Sequence, residues 1–230
     1  MELEEISANF YEFLCDLIFE TIKLATMSKK DILERCPFDN IEVFNNLFHK
    51  NKSIIVVMGH YGNWEWANAS MSLSSSYQLN AIYKPLSNPF FDNFFLKVRS
   101  RFGTKMVSMN NVLRAFVELK SKLTTTAFLA DQTAGPGHSF WITFLNQETT
   151  VFPGPEKLAK KYNYPVVFCY VDRYKRGYYK IYSEVLFLNP KETKEGEISL
   201  LHTKTLEKLI IKKPALWLWS HRKWKHKREI

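Results

Sequence analysis

The segment that most constrains this chain is Ser53-Ile-Ile-Val-Val-Met58, a β-branched apolar run that stops at Gly59. No polar residue alternates within it, so both of its faces must be covered, as in a strand held inside a parallel sheet between layers of helices. Comparable runs are Ala81 to Tyr83, Thr124 to Leu129 and Pro165 to Val171, with an alternating strand at Tyr178 to Leu186. Between them lie helical patterns at Phe90 to Phe102, Asn111 to Lys122 and Gly154 to Tyr162. Strands alternating with helices predict an α/β fold: one domain over residues 1–230, with a central, mostly parallel sheet flanked by helices. In such sheets, functional residues are expected at the carboxyl ends of the strands.

Ahead of the first strand, Phe10, Phe13, Leu14, Leu17, Ile18 and Ile22 recur at helical spacing over Ile6 to Leu24. The apolar face is broad enough for part of it to cover a core and part to meet lipid. Ser28 and Asp31 have the spacing of a capping box and predict a short helix that ends near Cys36-Pro37; Asn40 to Lys50 reads as another helix. The longest irregular stretch runs from Gln132 to Val151, and its Gly135-Pro136-Gly137 punctuation predicts a surface loop near the site.

Three cysteines, Cys15, Cys36 and Cys169, are odd in number and widely spaced, which supports neither a disulfide framework nor a CxxC site and fits a reducing environment. The net charge of +9 is concentrated: residues 202–230 hold nine Lys/Arg against two acids, hence +7 of the total. A basic tail of this kind suits nucleic acid, an anionic membrane surface, or a solvated end. No stretch approaches a spanning helix, and Met1 is followed by Glu2, Glu4 and Glu5 rather than by a basic leader.

Chemistry concentrates in Gly59-His-Tyr-Gly-Asn-Trp-Glu-Trp66, directly after the apolar run. Gly59 and Gly62 permit a sharp exit from the strand, Asn63 fits a helix N-cap, and Glu65 falls in the first turn. An imidazole at a strand end, with a carboxylate one loop later, suits a general base: Glu65 would hold one ring nitrogen of His60 while the other faces substrate. The spacing alone fits equally well a capping histidine beside a surface glutamate. No Gly-x-Ser-x-Gly elbow is present, and His60, His138, His202, His221 and His226 lack metal-ligand spacing. No metal or other cofactor is expected.

Several ordered blocks resemble the late acyltransferases of lipid A biosynthesis, within the broader lysophospholipid and glycerolipid acyltransferase group. They are Gly59 to Glu65, Tyr83-Lys-Pro85 with Asn88-Pro89, Arg101-Phe-Gly103, Asp131-Gln132, Phe152-Pro-Gly-Pro155 with Leu158-Ala159, Pro165-Val166, and Trp217-Leu-Trp219 with His221-Arg222 and Trp224-Lys225. The resemblance implies a catalytic pair of His60 and Glu65, with Lys84, Asp131, Asn63 and Arg101 as candidate substrate-binding residues. Lys84 stands where the family usually has Arg, so a two-pronged phosphate clamp is replaced by a single point charge. Asp131 also fits a plain loop-capping role.

The resemblance further implies an acyl donor, either acyl carrier protein or acyl-CoA, a lipid acceptor at a membrane surface, and a place on the cytoplasmic face of the bacterial inner membrane. A lipid A precursor is the favoured acceptor; a lysophospholipid or another glycolipid is the alternative. The family's usual N-terminal membrane anchor is not evident before Cys15, which leaves a late start or a peripheral attachment. Phe90, Phe91, Phe94 and Phe95 are expected to be mostly core. The rival reading from another class is a basic nucleic-acid-binding module, which leaves the His60 block unexplained and is not favoured.

Overall fold

A computed structural model describes residues 2–135 and 140–228. The chain opens with α1 (Leu3–Lys23), α2 (Lys29–Arg35) and α3 (Glu42–His49). There follow β1 (Ile54–Met58), α4 (Trp64–Ser74), β2 (Gln78–Tyr83), α5 (Pro89–Ser100), β3 (Lys105–Ser108), α6 (Val112–Glu118) and β4 (Thr124–Leu129). The remaining elements are β5 (Phe140–Phe144), β6 (Gln147–Val151), α7 (Gly154–Tyr162), β7 (Val166–Lys175), β8 (Tyr178–Phe187) and α8 (Glu197–Lys212).

Six strands form one sheet in the order β3-β2-β4-β1-β7-β8. All neighbours are parallel except the β7/β8 pair. The apolar run is therefore a central strand, and every residue of it is buried. Its alternation shows only in three dimensions: Ile54, Val56 and Met58 join a core with α2, α3, α4 and α5, while Ile55 and Val57 join one with α6, α7 and α8. Each fully buried aliphatic side chain contributes about 1.5–3 kcal/mol, so this strand holds both layers to the sheet.

α1 covers the fold with only part of its apolar face. Phe10, Phe13 and Leu17 are buried, whereas Tyr11, Ile18, Phe19 and Ile22 are exposed. The capping box at α2 is formed by Ser28 and Asp31 in both directions. The helix expected at 111–122 is shorter, and β3 and α8 are elements that the sequence reading leaves unassigned.

The stretch 132–151 is not one irregular loop. It contains the antiparallel hairpin β5/β6, turned by Leu145 and Asn146 at φ 48° and 62°. Two left-handed residues make the tight turn that suits a twisted hairpin, and Leu-Asn is an unusual pair for it. Pro136, Gly137 and His138 lie outside the described residues.

Candidate active site

β1 and β4 are parallel neighbours in which Met58 lies beside Leu129. Two residues past each strand end, the exits bring His60 and Asp131 together. His60 Nδ1 is 2.6 Å from Asp131 Oδ1, and the His60 backbone N–H donates to Oδ2 at 2.9 Å. The Ala130 N–H donates to the Met58 carbonyl at 2.8 Å, so the two exits are also tied through their backbones.

Asp131 is buried, and burial alone would raise its pKa. The facing imidazole, its hydrogen bond, the Trp217 indole N–H at 2.8 Å and the His60 backbone N–H together outweigh burial, and hold the carboxyl well below its usual range. An ionised carboxylate only accepts, so Nδ1 must carry a proton, and in the neutral ring the lone pair then lies on Nε2. The His60 side chain keeps 14% of its surface exposed against 4% for Asp131, and it meets the Trp64 ring edge-on at 4.9 Å.

The turn that delivers His60 depends on Gly62. Its φ is +64°, and a Cβ there would sit 2.1 Å from the Val171 carbonyl oxygen. Asn63 then caps α4 by accepting from the Trp66 N–H at 2.9 Å, while its amide donates to Glu20 at 2.7 Å. Asn63 is fully buried, and its side chain ties α4 to α1.

Glu65 does not hold His60. The start of α4 turns it toward α5, where the Arg99 guanidinium grips it with Nε at 2.9 Å from Oε2 and Nη2 at 2.5 Å from Oε1. Burial opposes the charge on Arg99, but this two-pronged bond outweighs it and raises the pKa. Thus the carboxylate at the ring nitrogen comes from the neighbouring strand rather than from the next turn. Lys84 follows the end of β2, on the same sheet edge, and is exposed. Arg101 bonds the carbonyls of Leu24 and Met27 beyond α1, so its guanidinium joins α5 to the α1–α2 connection.

The segment after α8 closes the edge. Gly62 N–H donates to the Leu216 carbonyl at 2.9 Å, and Leu218 N–H to the His60 carbonyl at 3.0 Å. Thr133 N–H donates to His221 Nε2 at 3.0 Å, and the Lys223 carbonyl accepts from the hydroxyls of Thr133 and Thr149. Lys223 is 1% exposed, and its ammonium reaches the Thr150 carbonyl at 3.1 Å. Burial pushes Lys223 down to about 8, with the charge of Asp131 opposing. His202, on α8, is pushed down to about 4 by burial and then by Lys223; its Nε2 has no hydrogen-bond partner among the described residues. The aromatics of the basic tail face inward: Trp217 is core, and Trp219 and Trp224 are half-buried against the same cluster.

Sequence reasoning found His60 and Asp131 separately but not their contact, and it missed Arg99, Trp217 and Lys223 as parts of the edge. The signal for the contact was the equal two-residue exit from two apolar runs, which is informative only once those runs are known to be neighbours in register.

The family described as bacterial lipid A biosynthesis acyltransferase matches residues 2–226. Among individual proteins, a lipid A biosynthesis acyltransferase of Haemophilus influenzae is 25% identical over 158 residues, covering 68% of this chain and 49% of that protein. The lipid A biosynthesis myristoyltransferase of Escherichia coli K12 is 25% identical over 139 residues, covering 60% of this chain and 42% of the other. The palmitoleoyltransferase of the same organism is 26% identical over 181 residues, covering 76% and 57%. The matched region thus spans about half the length of these relatives. With a match over nearly its whole length, the chain belongs to the bacterial lipid A biosynthesis acyltransferase family.

Proposed function

We propose that the protein transfers a fatty acyl chain from an acyl thioester, on acyl carrier protein or coenzyme A, to a hydroxyl of a lipid acceptor, with a lipid A precursor favoured. The observation that carries this reading is the 2.6 Å contact between His60 Nδ1 and buried Asp131 at the carboxyl edge of the sheet, in a member of this family. Nε2 of His60 takes the proton from the acceptor hydroxyl as that oxygen attacks the thioester carbonyl. The tetrahedral intermediate collapses with cleavage of the C–S bond, and the proton passes from His60 to the leaving thiolate. The products are an ester and a free thiol. Asp131 fixes the tautomer and stabilises the imidazolium.

Glu65 serves this site through Arg99, holding a cation beside the first turn of α4 where anionic oxygens of donor or acceptor would be met. Lys84 supplies a second, exposed cation at the same edge. Leu86, Phe90 and Phe91 are exposed close by in the chain, which supports a lipid surface as the phase that delivers the acceptor. Among the described residues no helix is long and apolar enough to cross a membrane.

The test is transfer of labelled acyl groups from carrier protein or CoA to a lipid A precursor, a lysophospholipid or another glycolipid. Asp131→Asn should lower the rate by about three orders of magnitude while leaving the fold intact, because the amide can present the wrong hydrogen-bonding group to Nδ1. His60→Ala should abolish it. Activity that survives both substitutions rejects the base assignment, and no transfer by wild type to any acceptor class rejects the function.

A further inference from the structure

We propose that Trp217 is a positioning residue for the His60–Asp131 pair, and that the strap formed by residues 216–223 is the device that delivers its indole N–H to Asp131. The inference rests on the reading of that pair as the proton-transfer couple. It concerns a residue that does not touch the reacting atoms.

Asp131 Oδ2 accepts two hydrogen bonds, one from the His60 backbone and one from the Trp217 indole, which leaves Oδ1 to face the imidazole. A carboxylate held by one oxygen on two fixed donors cannot rotate about its own axis without breaking them, so Oδ1 stays aligned with Nδ1. The strap approaches from both sides of the pair. Tyr61 and Trp217 form an antiparallel bridge, Leu218 N–H bonds the His60 carbonyl, and His221 takes the N–H of Thr133, two residues beyond Asp131. The same strand of chain therefore binds the loop that carries the imidazole and the loop that carries the carboxylate.

Its far end is anchored in the hairpin by Lys223, whose ammonium bonds Thr150 and lies 5.7 Å from the centre of the Phe144 ring. Trp217 is itself 1% exposed, edge-on to Phe144 at 5.6 Å and to Trp219 at 4.7 Å, so its ring has one orientation. A buried indole N–H needs an acceptor, and for Trp217 that acceptor is the carboxylate that meets His60.

The titratable groups around the pair are known from each element packed against it. His202 comes from α8, His221 and Lys223 from the strap, and both histidines are disfavoured as cations by burial and by Lys223. Removing the indole donor leaves Asp131 Oδ2 with one fixed donor in place of two, so Oδ1 loses its alignment with Nδ1.

The experiment is NMR of the full chain labelled with nitrogen-15 at histidine. Wild type should show a hydrogen-bonded Nδ1 proton that disappears in His60→Ala. Trp217→Phe keeps the aromatic ring and removes the N–H; it should displace that proton resonance, with kcat lowered about tenfold and KM little changed. A folded Trp217→Phe with the wild-type resonance overturns the proposal, as does one with the wild-type kcat. Should that variant fail to fold, Thr133→Val carries the test. It loosens the strap without touching the pair, and should shift the same resonance by a smaller amount; an unshifted resonance there also overturns the proposal. If the proton behaves as stated but acyl transfer survives His60→Ala, the positioning inference stands and the assigned chemistry falls.

Discussion

Asp131 is the carboxylate that the fold puts beside His60, while Glu65 pairs with Arg99. Each is buried, each has a dedicated partner, and neither partner is shared, so their removal should have different signatures. Glu65→Gln leaves Arg99 without its counter-charge in a site where only 26% of the arginine side chain is exposed. We expect a loss of about 3 kcal/mol in urea denaturation, far beyond a surface ion pair. Arg99→Met in that background should recover part of it, because an unpaired buried charge is what costs most. His60 stood out through the ordered blocks it shares with the family, since a histidine after a buried apolar run fits a capping role equally well. Its carboxylate did not, because both Glu65 and Asp131 lie where a sheet presents site residues. Spacing along the chain favours the residue five positions away over the one that the fold brings within 2.6 Å.

At the scale of elements, the exit from β1 is closely packed against β7. Gly62→Ala would place a methyl group against the Val171 carbonyl at a positive φ, and a loss of 3 kcal/mol or more is expected, roughly the upper end for single substitutions. Thermal melts monitored by circular dichroism would show it; an unchanged midpoint would mean that the loop is not held as described. The long strands and most helices could be read from periodicity, because β1, β4 and β7 carry their apolar runs openly. β3 is four residues long and begins with an exposed lysine, so it has too little pattern to stand out. The β5/β6 hairpin was hidden for another reason: Phe140-Trp-Ile-Thr-Phe144 does not alternate cleanly, and its turn lacks the glycine that usually announces one. α5 reversed an expectation in part, since Phe90 is 74% and Phe91 52% exposed instead of buried. Replacing both with serine should weaken sedimentation with anionic lipid vesicles severalfold while leaving the melting temperature unchanged, because little core contact is removed.

For the molecule as a whole, Lys223 gives the stability a particular dependence on alkali. Its folded-state pKa is about 8 against 10.5 for the free side chain. Between those values the unfolded chain binds the proton and the folded chain does not, so this group makes stability rise with pH across that window. Below pH 8 the lysine is charged in both states and its burial cost is carried in full. Urea midpoints measured from pH 7.5 to 10.5 should show this contribution, and Lys223→Met should remove it. That a basic tail would turn one of its cations inward was not legible, because charge counts carry no direction. Only its covering by Thr149, Thr150 and Phe144 shows it.

The central position of β1 also governs how the chain reaches this state. Its partners lie at Thr125 on one side and Val166 on the other, far downstream of Ile54 and Ile55. During refolding, an uncharged, β-branched segment must wait with both hydrogen-bonding edges bare until two long crossovers have closed, and segments of that kind stick to one another. Dilution from denaturant should therefore give slow recovery with a yield that falls as protein concentration rises, and the aggregates should form through Ile54 to Met58.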